Sequence, residues 1–403
     1  MKNCIIAQSG GPTSVINSSL CGVLEGNKFF KLYDKVYGGL NGIEGILNNS
    51  IVDLTNLNKL QIEKIKHTPA SFLGTCRYKM PCSKTSPMIY EKLISTLNKL
   101  DIKAVFYIGG NDSMDTVAKL SKYALENNYD IKFIGIPKTI DNDLFYMDHS
   151  PGFISACNYI NTSIVETFLD FNSYDNDSIF ILETMGRDTG WLAASTCICS
   201  YLGNPIVDLI YVPEVPFDSI DFITSVKSLL KTKHKVYIVV SEGIKDKNGN
   251  LISKFKYAEN DPFGHIELGG VSNKLKVLLT EAGVKSKIRS LELSTLQRCA
   301  MHCVSEIDIL ESFKLGFESL KLSNEDINGF MVALNRISSY PYKTKIEKVE
   351  AYKVSNKTKY LPSNWINKEN NNINSKAYDY FIPLLKETHS IIESKENFKI
   401  INL

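Results

Sequence analysis

The clearest fold signal in the sequence is AVFYIGGNDSMDTVAKL (residues 104–120), followed by IKFIGIPKTIDNDLFYMDH (residues 131–149). Two apolar runs, 104–108 and 131–136, are rich in β-branched and aromatic residues and are bounded by Gly or Pro, which predicts two strands. The apolar residues between these runs recur with helical spacing, which predicts a helix. Each predicted strand is followed by a polar loop, and ligands bind at the carboxyl ends of strands in open parallel sheets. We therefore expect a site for a metal and a phosphorylated ligand at this edge.

Alternation of strands and helices continues along the rest of the chain. Further strand-like runs lie at 4–7, 179–182, 208–212 and 236–240. This pattern predicts an α/β protein with parallel sheets. A chain of 403 residues is long enough for two or more lobes. Residues 305–336 are expected to be mostly helical and to finish with a short apolar run at 330–334.

The composition is that of an ordinary globular protein and gives no sign of a nucleic-acid or membrane partner. Its 46 basic and 44 acidic side chains leave a formal charge of +2, so no net field attracts nucleic acid or an anionic membrane. The nine cysteines form no regular framework, no signal-peptide core follows Met1, and no apolar run is long enough to span a bilayer. We expect a cytoplasmic protein with reduced thiols.

Two loops near the amino terminus could receive a phosphate. Gly10 and Gly11 stand between a predicted strand and a helix start, where backbone amides and the helix dipole favour an anion. The alternative is an ordinary tight turn. Arg77 lies in a second loop among small residues that leave room for an anion, although a loop arginine by itself is usually solvated surface.

Asp141 and Asp143 flank Asn142 directly after the second strand of the opening stretch. In an extended loop both carboxylates would face the same way. One could accept the proton of an attacking hydroxyl, and the other could bind metal or orient the first. The alternative is turn chemistry, because Asp and Asn bond their own backbone. Lys138 favours the functional interpretation, since a lysine beside two acids can neutralise a phosphate in transfer.

The polar cluster after the first strand has two interpretations that are compatible with each other. Asp112 or Ser113 could cap the following helix while Asp115 interacts with its dipole. Alternatively, Asn111 and its neighbours could form a Mg²⁺ site, in which a carboxylate or amide and several waters bridge the metal to phosphate oxygens.

Taken together, the motifs resemble the phosphofructokinase family from Ile5 to about Arg336. The matching pieces, in order, are SGGPTSVIN (9–17), GTCR (74–77), GGNDS (109–113), PKTIDND (137–143), MGR (185–187), SEG (241–243) and QR (297–298). The resemblance implies two Rossmann-like three-layer lobes with parallel sheets, plus a helical and irregular C-terminal extension. The implied divisions are a phosphoryl-donor lobe at 1–145, a fructose 6-phosphate lobe at 146–300, and C-terminal helices and tail packing across the lobes at 301–403.

Two positions resemble the pyrophosphate-dependent branch of this family. ATP-dependent members usually have glycine at the positions of Asp112 and Lys138. The resemblance therefore implies reversible phosphate transfer from pyrophosphate to the 1-hydroxyl of fructose 6-phosphate in glycolysis. It also implies Mg²⁺ as cofactor and a homodimer.

The resemblance also assigns roles to individual residues. Asp141 corresponds to the proton acceptor, and Lys138 and Asp112 complete the catalytic set. The implied donor-binding residues are Gly11 and Arg77. The implied substrate-binding residues are Thr139, Asp141, Asp143, Met185, Gly186, Arg187, Glu242, Arg289 and Arg298. The implied metal residue is Asn111, at a position where the family usually has an aspartate.

The chain departs from the family pattern at other positions too. Thr295 and Leu296 stand where many relatives have a histidine, and Ser178 stands where ATP-dependent relatives often have an arginine. Two alternative functions follow: an ATP-dependent 6-phosphofructokinase, favoured by the change at Asn111, and a non-catalytic sugar-phosphate-binding regulatory protein. The intact Lys138, Asp141 and Asp143 argue against the second alternative.

Overall fold

The computed structural model describes residues 2–201, 203–253 and 268–385. These residues form two compact units. Unit 1 comprises 2–155 and 298–359, and unit 2 comprises the described residues of 156–297 together with 360–385. No helix in these ranges is long and apolar enough to cross a membrane.

Strands and helices alternate within these ranges. The strands are β1 (Asn3–Gln8), β2 (Val36–Gly39), β3 (Ile51–Asp53), β4 (Ile102–Gly109), β5 (Lys132–Pro137), β6 (Ser178–Thr184), β7 (Ser200–Tyr201), β8 (Asn204–Pro205), β9 (Leu209–Tyr211), β10 (Lys235–Ser241), β11 (Lys287–Glu292), β12 (Phe330–Ser339), β13 (Tyr342–Glu350), β14 (Ile366–Asn367) and β15 (Asn372–Ile373). The helices are α1 (Ile16–Phe30), α2 (Gly42–Leu47), α3 (Lys59–Lys66), α4 (Pro87–Lys99), α5 (Asn111–Glu126), α6 (Phe153–Asn172), α7 (Trp191–Ala194), α8 (Ser219–Leu229), α9 (Val271–Glu281), α10 (Glu306–Leu322), α11 (Ala351–Val354) and α12 (Tyr378–Phe381).

Unit 1 is built on a seven-stranded sheet in the order β13-β12-β5-β4-β1-β2-β3. The strands from β12 to β2 in this order pair in parallel, whereas β3 and β13 are antiparallel edges. Because side chains alternate along a strand, neighbouring residues enter opposite cores: Ile6 packs with α1 and α10, while Ile5 packs with α4 and α5. The unit therefore has three layers, with helices on both faces of the sheet.

Residues 298–359 belong to unit 1 because three of their elements complete it. Helix α10 packs closely on α1, where a Cβ on Gly22 would lie 2.1 Å from the carbonyl oxygen of Phe313. β12 pairs with β5, and β13 pairs with β12. These contacts place the divisions of the chain differently from the sequence-based boundaries at 145 and 300. Packing of the C-terminal segment across both lobes stays a prediction, and its residues 386–403 lie outside the described ranges.

Unit 2 contains a four-stranded parallel sheet in the order β11-β6-β10-β9. Its apolar core includes Ile181 and Ile238 of the central strands and Leu275 of α9. Residues 360–385 cover one edge, where the N–H of Ile210 donates to the carbonyl oxygen of Asn371 at 2.8 Å.

The predicted α/β class with parallel sheets and two lobes is confirmed. In the region from 305 to 336, α10 ends at Leu322 and the apolar run at 330–334 begins β12, whose hairpin with β13 was not predicted. In β13, exposed charged residues alternate with less exposed residues from Tyr342 to Glu347, and Ile346 packs on the core. That alternation is typical of an edge strand with one solvated face.

Candidate active site

The loop at Gly10 and Gly11 follows β1 and is held against the loop that carries Arg77. The N–H of Gly10 donates to the carbonyl oxygen of Cys76 at 3.0 Å, and the hydroxyl of Thr75 donates to the carbonyl oxygen of Gly10 at 2.7 Å. Gly10 has φ 77°, a left-handed conformation that favours glycine. The fold therefore brings Gly11 close to Arg77, which are 66 positions apart in the sequence.

Lys138 follows β5 and extends into this glycine loop. Its Nζ donates to the carbonyl oxygen of Gly11 at 2.7 Å, and a Cβ on Gly10 would lie only 3.1 Å from Nζ. The residue is 3% exposed. Burial, with added repulsion from Arg298, lowers the pKa of Lys138 to about 7, although Asp141 and Asp143 oppose this change. The site thus contains an amine that gains its charge readily when an anion arrives.

Arg298 lies on the other side of the glycine loop. A Cβ on Gly11 would lie 3.5 Å from the Cζ of Arg298, and the hydroxyl of Ser14 donates to the Arg298 carbonyl oxygen at 3.4 Å. Arg298 therefore lies in unit 1 beside the predicted donor-binding residue Gly11. Its predicted contact with the sugar phosphate stays a prediction.

Asp141 and Asp143 lie in a turn that contains a left-handed residue, not in the extended loop expected from the sequence. Asn142 between them has φ 53° and is fully buried. The N–H of Asp141 donates to the hydroxyl oxygen of Thr139 at 3.1 Å, so both carboxylates belong to one closed turn. Burial, with repulsion from Asp141, raises the pKa of Asp143 to about 6. The two carboxyls therefore lie close enough to influence each other, and both favour the charged form of Lys138.

Asn111 and Asp112 begin α5, and the structure changes the interpretation of this cluster. The helix is capped by Gly110, which has no side chain, so the expectation that Asp112 or Ser113 provides the cap is wrong. Asp112 lies in the first turn, where the helix dipole favours a carboxylate. The Asn111 amide donates to the carbonyl oxygen of Lys357 at 2.6 Å and accepts from the N–H of Asn356 at 2.7 Å. The role of Asn111 as a metal residue stays a prediction. In the structure, its amide group holds the backbone at Asn356 and Lys357.

In unit 2 the residues 185–187 and Glu242 follow the neighbouring strands β6 and β10. The N–H of Glu242 donates to the carbonyl oxygen of Thr184 at 2.9 Å, and the Ser241 hydroxyl donates to the carbonyl oxygen of Gly186 at 2.6 Å. Gly186 has φ 133°, and a Cβ there would lie 2.5 Å from the Thr189 carbonyl oxygen. Only glycine fits this junction, and it brings the predicted substrate-binding residues Met185, Gly186, Arg187 and Glu242 together.

Gln297 and Arg289 are placed differently within unit 2. The buried Gln297 accepts a hydrogen bond from the N–H of Met185 at 3.2 Å, so it supports the 185–187 turn. Arg289 pairs in register with Phe180 in the middle of β6, is ion-paired with Asp170, and lies over the ring of Tyr174 at 5.2 Å. The strand register therefore sets Arg289 well before the carboxyl end of β6, apart from the 185–187 turn. Its predicted contact with substrate stays a prediction.

Sequence reasoning missed the residues that hold the turn containing Asp141 in place. Lys359 donates from Nζ to the Oδ1 of Asn142 at 3.0 Å, across 217 positions of sequence. The local sequence around Lys359 resembles a polar loop and gives no signal of this contact. Asn142 was noted only as the residue between two acids.

Comparison with known proteins places this fold and these motifs in a family. A phosphofructokinase family model matches residues 3–322. The pyrophosphate–fructose 6-phosphate 1-phosphotransferase of Halomonas elongata is 35% identical, over 95% of this chain and 92% of its own length. A sulfofructose kinase of Alkalicoccus urumqiensis is 34% identical, over 90% of this chain and 91% of its own length. The crystal structure of a pyrophosphate-dependent phosphofructokinase from Nitrosospira multiformis matches with TM-score 0.85 and 32% identity, covering 95% of this chain and 91% of that chain.

Proposed function

Because the chain belongs to the phosphofructokinase family, we propose that it transfers phosphate from pyrophosphate to the 1-hydroxyl of fructose 6-phosphate. The products are fructose 1,6-bisphosphate and phosphate. Unit 1 binds the phosphoryl donor, and the 185–187 turn and Glu242 of unit 2 bind the sugar phosphate. The reaction is readily reversible, since pyrophosphate is a less energetic donor than ATP.

The observation that carries this proposal is the buried Lys138 side chain at the glycine loop. Its Nζ donates to the carbonyl oxygen of Gly11, and Asp141 and Asp143 are near enough to favour its charged form. A phosphoryl group that moves from donor to acceptor needs such a fixed cation near its oxygens. The same residue supports pyrophosphate as donor, because ATP-dependent members usually have glycine there.

Asp141 acts as the general base in this proposal. Its carboxylate accepts the proton of the 1-hydroxyl while that oxygen bonds to the transferred phosphorus and the bond to the leaving phosphate breaks. The neighbouring Asp143, whose pKa burial and Asp141 raise to about 6, keeps the proton-accepting environment negative at neutral pH. Lys138 neutralises the charge of the phosphoryl group in transit.

Asp112 disfavours ATP in this proposal. A carboxylate in the first turn of α5 would face the α-phosphate of a nucleotide bound at this loop. Two like charges about 4 Å apart repel by roughly 1 to 4 kcal/mol between water-like and surface dielectric. That range is enough to change donor preference by about fivefold to several hundredfold.

Enzymes of this family generally use a divalent metal, and the residues of unit 1 fit Mg²⁺. Asp143 Oδ1 is buried and has no hydrogen-bond partner among the described residues. Those residues contain no cluster of three or more His, Cys, Asp or Glu side chains that could enclose an ion. Mg²⁺ typically uses one or two carboxylates, waters and substrate phosphates, so Asp143 and pyrophosphate would hold it together. The ion would neutralise the phosphate charge when bound.

Two alternative functions each replace one substrate of the proposed reaction. The first is ATP as donor, which the change from the family aspartate to Asn111 favours. The second is a sulfonated sugar as acceptor, which the similarity to a sulfofructose kinase favours. The cytoplasmic location and the homodimer remain predictions.

A coupled assay with purified protein and Mg²⁺ distinguishes these functions. We expect fructose 1,6-bisphosphate formation from fructose 6-phosphate with pyrophosphate, and little with ATP. The Asp141→Asn variant is the control: its rate should fall by several orders of magnitude with little change in substrate affinity. Turnover with ATP alone would contradict the donor assignment, and turnover of sulfofructose but not fructose 6-phosphate would contradict the acceptor. Absence of turnover with every pair would favour a sugar-phosphate-binding regulatory protein.

A further inference from the structure

The segment of residues 356–359, which follows α11, is bonded at its start to the first turn of α5. Asn111 donates from Nδ2 to the carbonyl oxygen of Lys357 at 2.6 Å and accepts from the N–H of Asn356 at 2.7 Å. The Asn356 amide also donates to Oδ1 of Asp115 at 3.2 Å. These three bonds fix the start of the 356–359 segment to the turn that carries Asp112.

The same segment is bonded at its end to the turn that carries Asp141 and Asp143. The N–H of Lys359 donates to the carbonyl oxygen of Asp143 at 2.8 Å. Thr358 forms an antiparallel bridge with Leu144, directly after that turn. A single four-residue segment therefore connects the two polar loops that the proposed reaction needs.

The side chain of Lys359 extends behind the turn and makes three further bonds. Its Nζ donates to Oδ1 of Asn142 at 3.0 Å and to the carbonyl oxygens of Met147 and Asp148 at 3.1 and 2.8 Å. These acceptors lie on residues 142, 147 and 148. Since all three acceptors belong to the segment 142–148, the lysine holds both ends of one loop in a fixed geometry.

Asn142 is the residue whose conformation this arrangement controls. It has φ 53°, a left-handed conformation that is costly for residues other than glycine, although Asn tolerates it better than most. Its Oδ1 also accepts from the N–H of Ser150 at 3.0 Å. Because Asn142 stands between the two acids, its backbone angles set the directions of both neighbouring side chains.

We propose that Lys359 is a positioning residue for the reaction: it holds Asn142 in its left-handed turn, so that Asp141 and Asp143 keep the directions needed for proton acceptance and phosphoryl transfer. This role rests on the proposed function, because it concerns the same site. It differs from the predicted catalytic roles, since Lys359 acts through Asn142 and the backbone and contacts neither substrate.

The test is the variant Lys359→Met, which keeps the length of the side chain and removes its three donors. We expect kcat with pyrophosphate to fall about 10- to 100-fold, because small displacements of catalytic groups have effects of this size. The KM for fructose 6-phosphate should change much less than kcat, since only part of the predicted substrate site, at Thr139, Asp141 and Asp143, lies in the turn that Lys359 holds. Hydrogen exchange of the Ser150 amide should become faster, because its acceptor Asn142 is no longer held.

The matched control is Lys353→Met. Lys353 is a lysine of α11 that pairs with Glu350 at 3.0 Å on the surface, and its removal should leave kcat and the exchange of residues 139–150 unchanged. A second variant, Asn142→Gly, allows the left-handed backbone at no steric cost and removes the Lys359 contact. It should lower kcat in the same direction, and adding Lys359→Met to it should lower kcat little further.

Three results would overturn the proposal. The first is unchanged kcat and unchanged exchange in Lys359→Met. The second is an equal loss of kcat in Lys353→Met. The third is full additivity of Lys359→Met and Asn142→Gly. If the wild-type protein transfers phosphate from neither donor, the proposed function fails, but faster exchange of Ser150 in Lys359→Met would still establish the anchoring of the turn.

Discussion

Binding of pyrophosphate should be accompanied by uptake of a proton by Lys138. Burial and the neighbouring Arg298 lower the pKa of Lys138 to about 7. A bound phosphate within reach of Nζ favours the charged amine and therefore raises this pKa. Above pH 7, Lys138 is mostly neutral in the free protein and charged in the complex. Binding is therefore accompanied by transfer of a proton from solvent to Lys138.

The magnitude follows from the two protonation states. At pH 8 a group with a pKa of about 7 carries ~0.1 proton, and a lysine returned to its ordinary pKa of about 10.5 carries ~1. Uptake should therefore be ~0.9 proton at pH 8 and ~0.1 at pH 6. The apparent affinity should fall about tenfold from pH 6 to pH 8, which corresponds to about 1.4 kcal/mol.

Isothermal titration calorimetry measures this uptake directly when pyrophosphate is titrated in two buffers of different ionisation enthalpy. The control is Lys138→Arg, because a guanidinium stays protonated throughout this range. Proton exchange by pyrophosphate itself is common to both proteins at equal Mg²⁺, so the difference between them isolates the lysine. We expect ~0.9 proton less uptake in the variant at pH 8 and almost no difference at pH 6.

Equal uptake in wild type and Lys138→Arg at pH 8 would refute this reasoning, because it would mean that Lys138 keeps the same charge with and without pyrophosphate. If the larger arginine prevents binding, the wild type alone remains informative. Its uptake, corrected for that of pyrophosphate, must rise by ~0.8 proton between pH 6 and pH 8.

Two further predictions concern donor choice and stability. The double change Asp112→Gly with Lys138→Gly should lower the rate with pyrophosphate and raise the rate with ATP relative to wild type; an unchanged pyrophosphate rate in the coupled assay would show that these residues do not select the donor. Burial lowers the pKa of His149, but its contacts with Glu311 at 2.8 Å and Asp148 at 2.9 Å outweigh burial and raise the pKa to about 9. A raised pKa stabilises the fold fully below the unfolded value of 6.5, and this stabilisation is lost as pH rises through about 9. His149→Gln should therefore destabilise unit 1 by about 3 kcal/mol at pH 6 and by much less at pH 10, which hydrogen exchange in α10 can measure; an equal loss at both pH values would contradict the assignment.

The sequence predicted the parts of the site that depend on strand ends and short motifs. Gly11 and Lys138 each follow a parallel strand of the same sheet, and the ends of neighbouring parallel strands meet at one edge. Strand periodicity and glycine placement are local properties, so they can be recognised without a structure. For the same reason the Gly186 junction in unit 2 was found from its motif.

The details that sequence reasoning missed depend on contacts between distant residues. Asn142 was expected in an extended loop, but Lys359 holds it in a left-handed turn across 217 positions of sequence. The contacts of the Asn111 amide with backbone groups of Asn356 and Lys357 were also missed, whereas its role as a metal residue stays a prediction. No local sequence pattern shows which of several lysines is buried, because burial of a lysine depends on the hydrogen-bond acceptors that surround it in the folded chain.

The support behind the Asp141 turn extends further into unit 1 than Lys359 itself. Asp148, whose carbonyl oxygen binds the Lys359 ammonium at 2.8 Å, accepts from Arg336 of β12 at 2.9 Å. It also contacts His149, which reaches Glu311 of α10. The turn is thus connected by buried charged groups to the helix and hairpin that complete unit 1.

This connection explains a feature of the chain that the motifs alone leave unexplained. The segments 306–322 and 330–359 contain none of the recognised motifs, and yet they supply the groups that hold the Asp141 turn. Buried polar networks have large energetic consequences when one member is removed, because the remaining groups are left without partners. Loss of the His149 network should therefore affect both the stability of unit 1 and the order of the turn. In Lys359→Met the side-chain bonds of Asp148, His149 and Glu311 remain, so the turn should loosen while α10 keeps its wild-type protection.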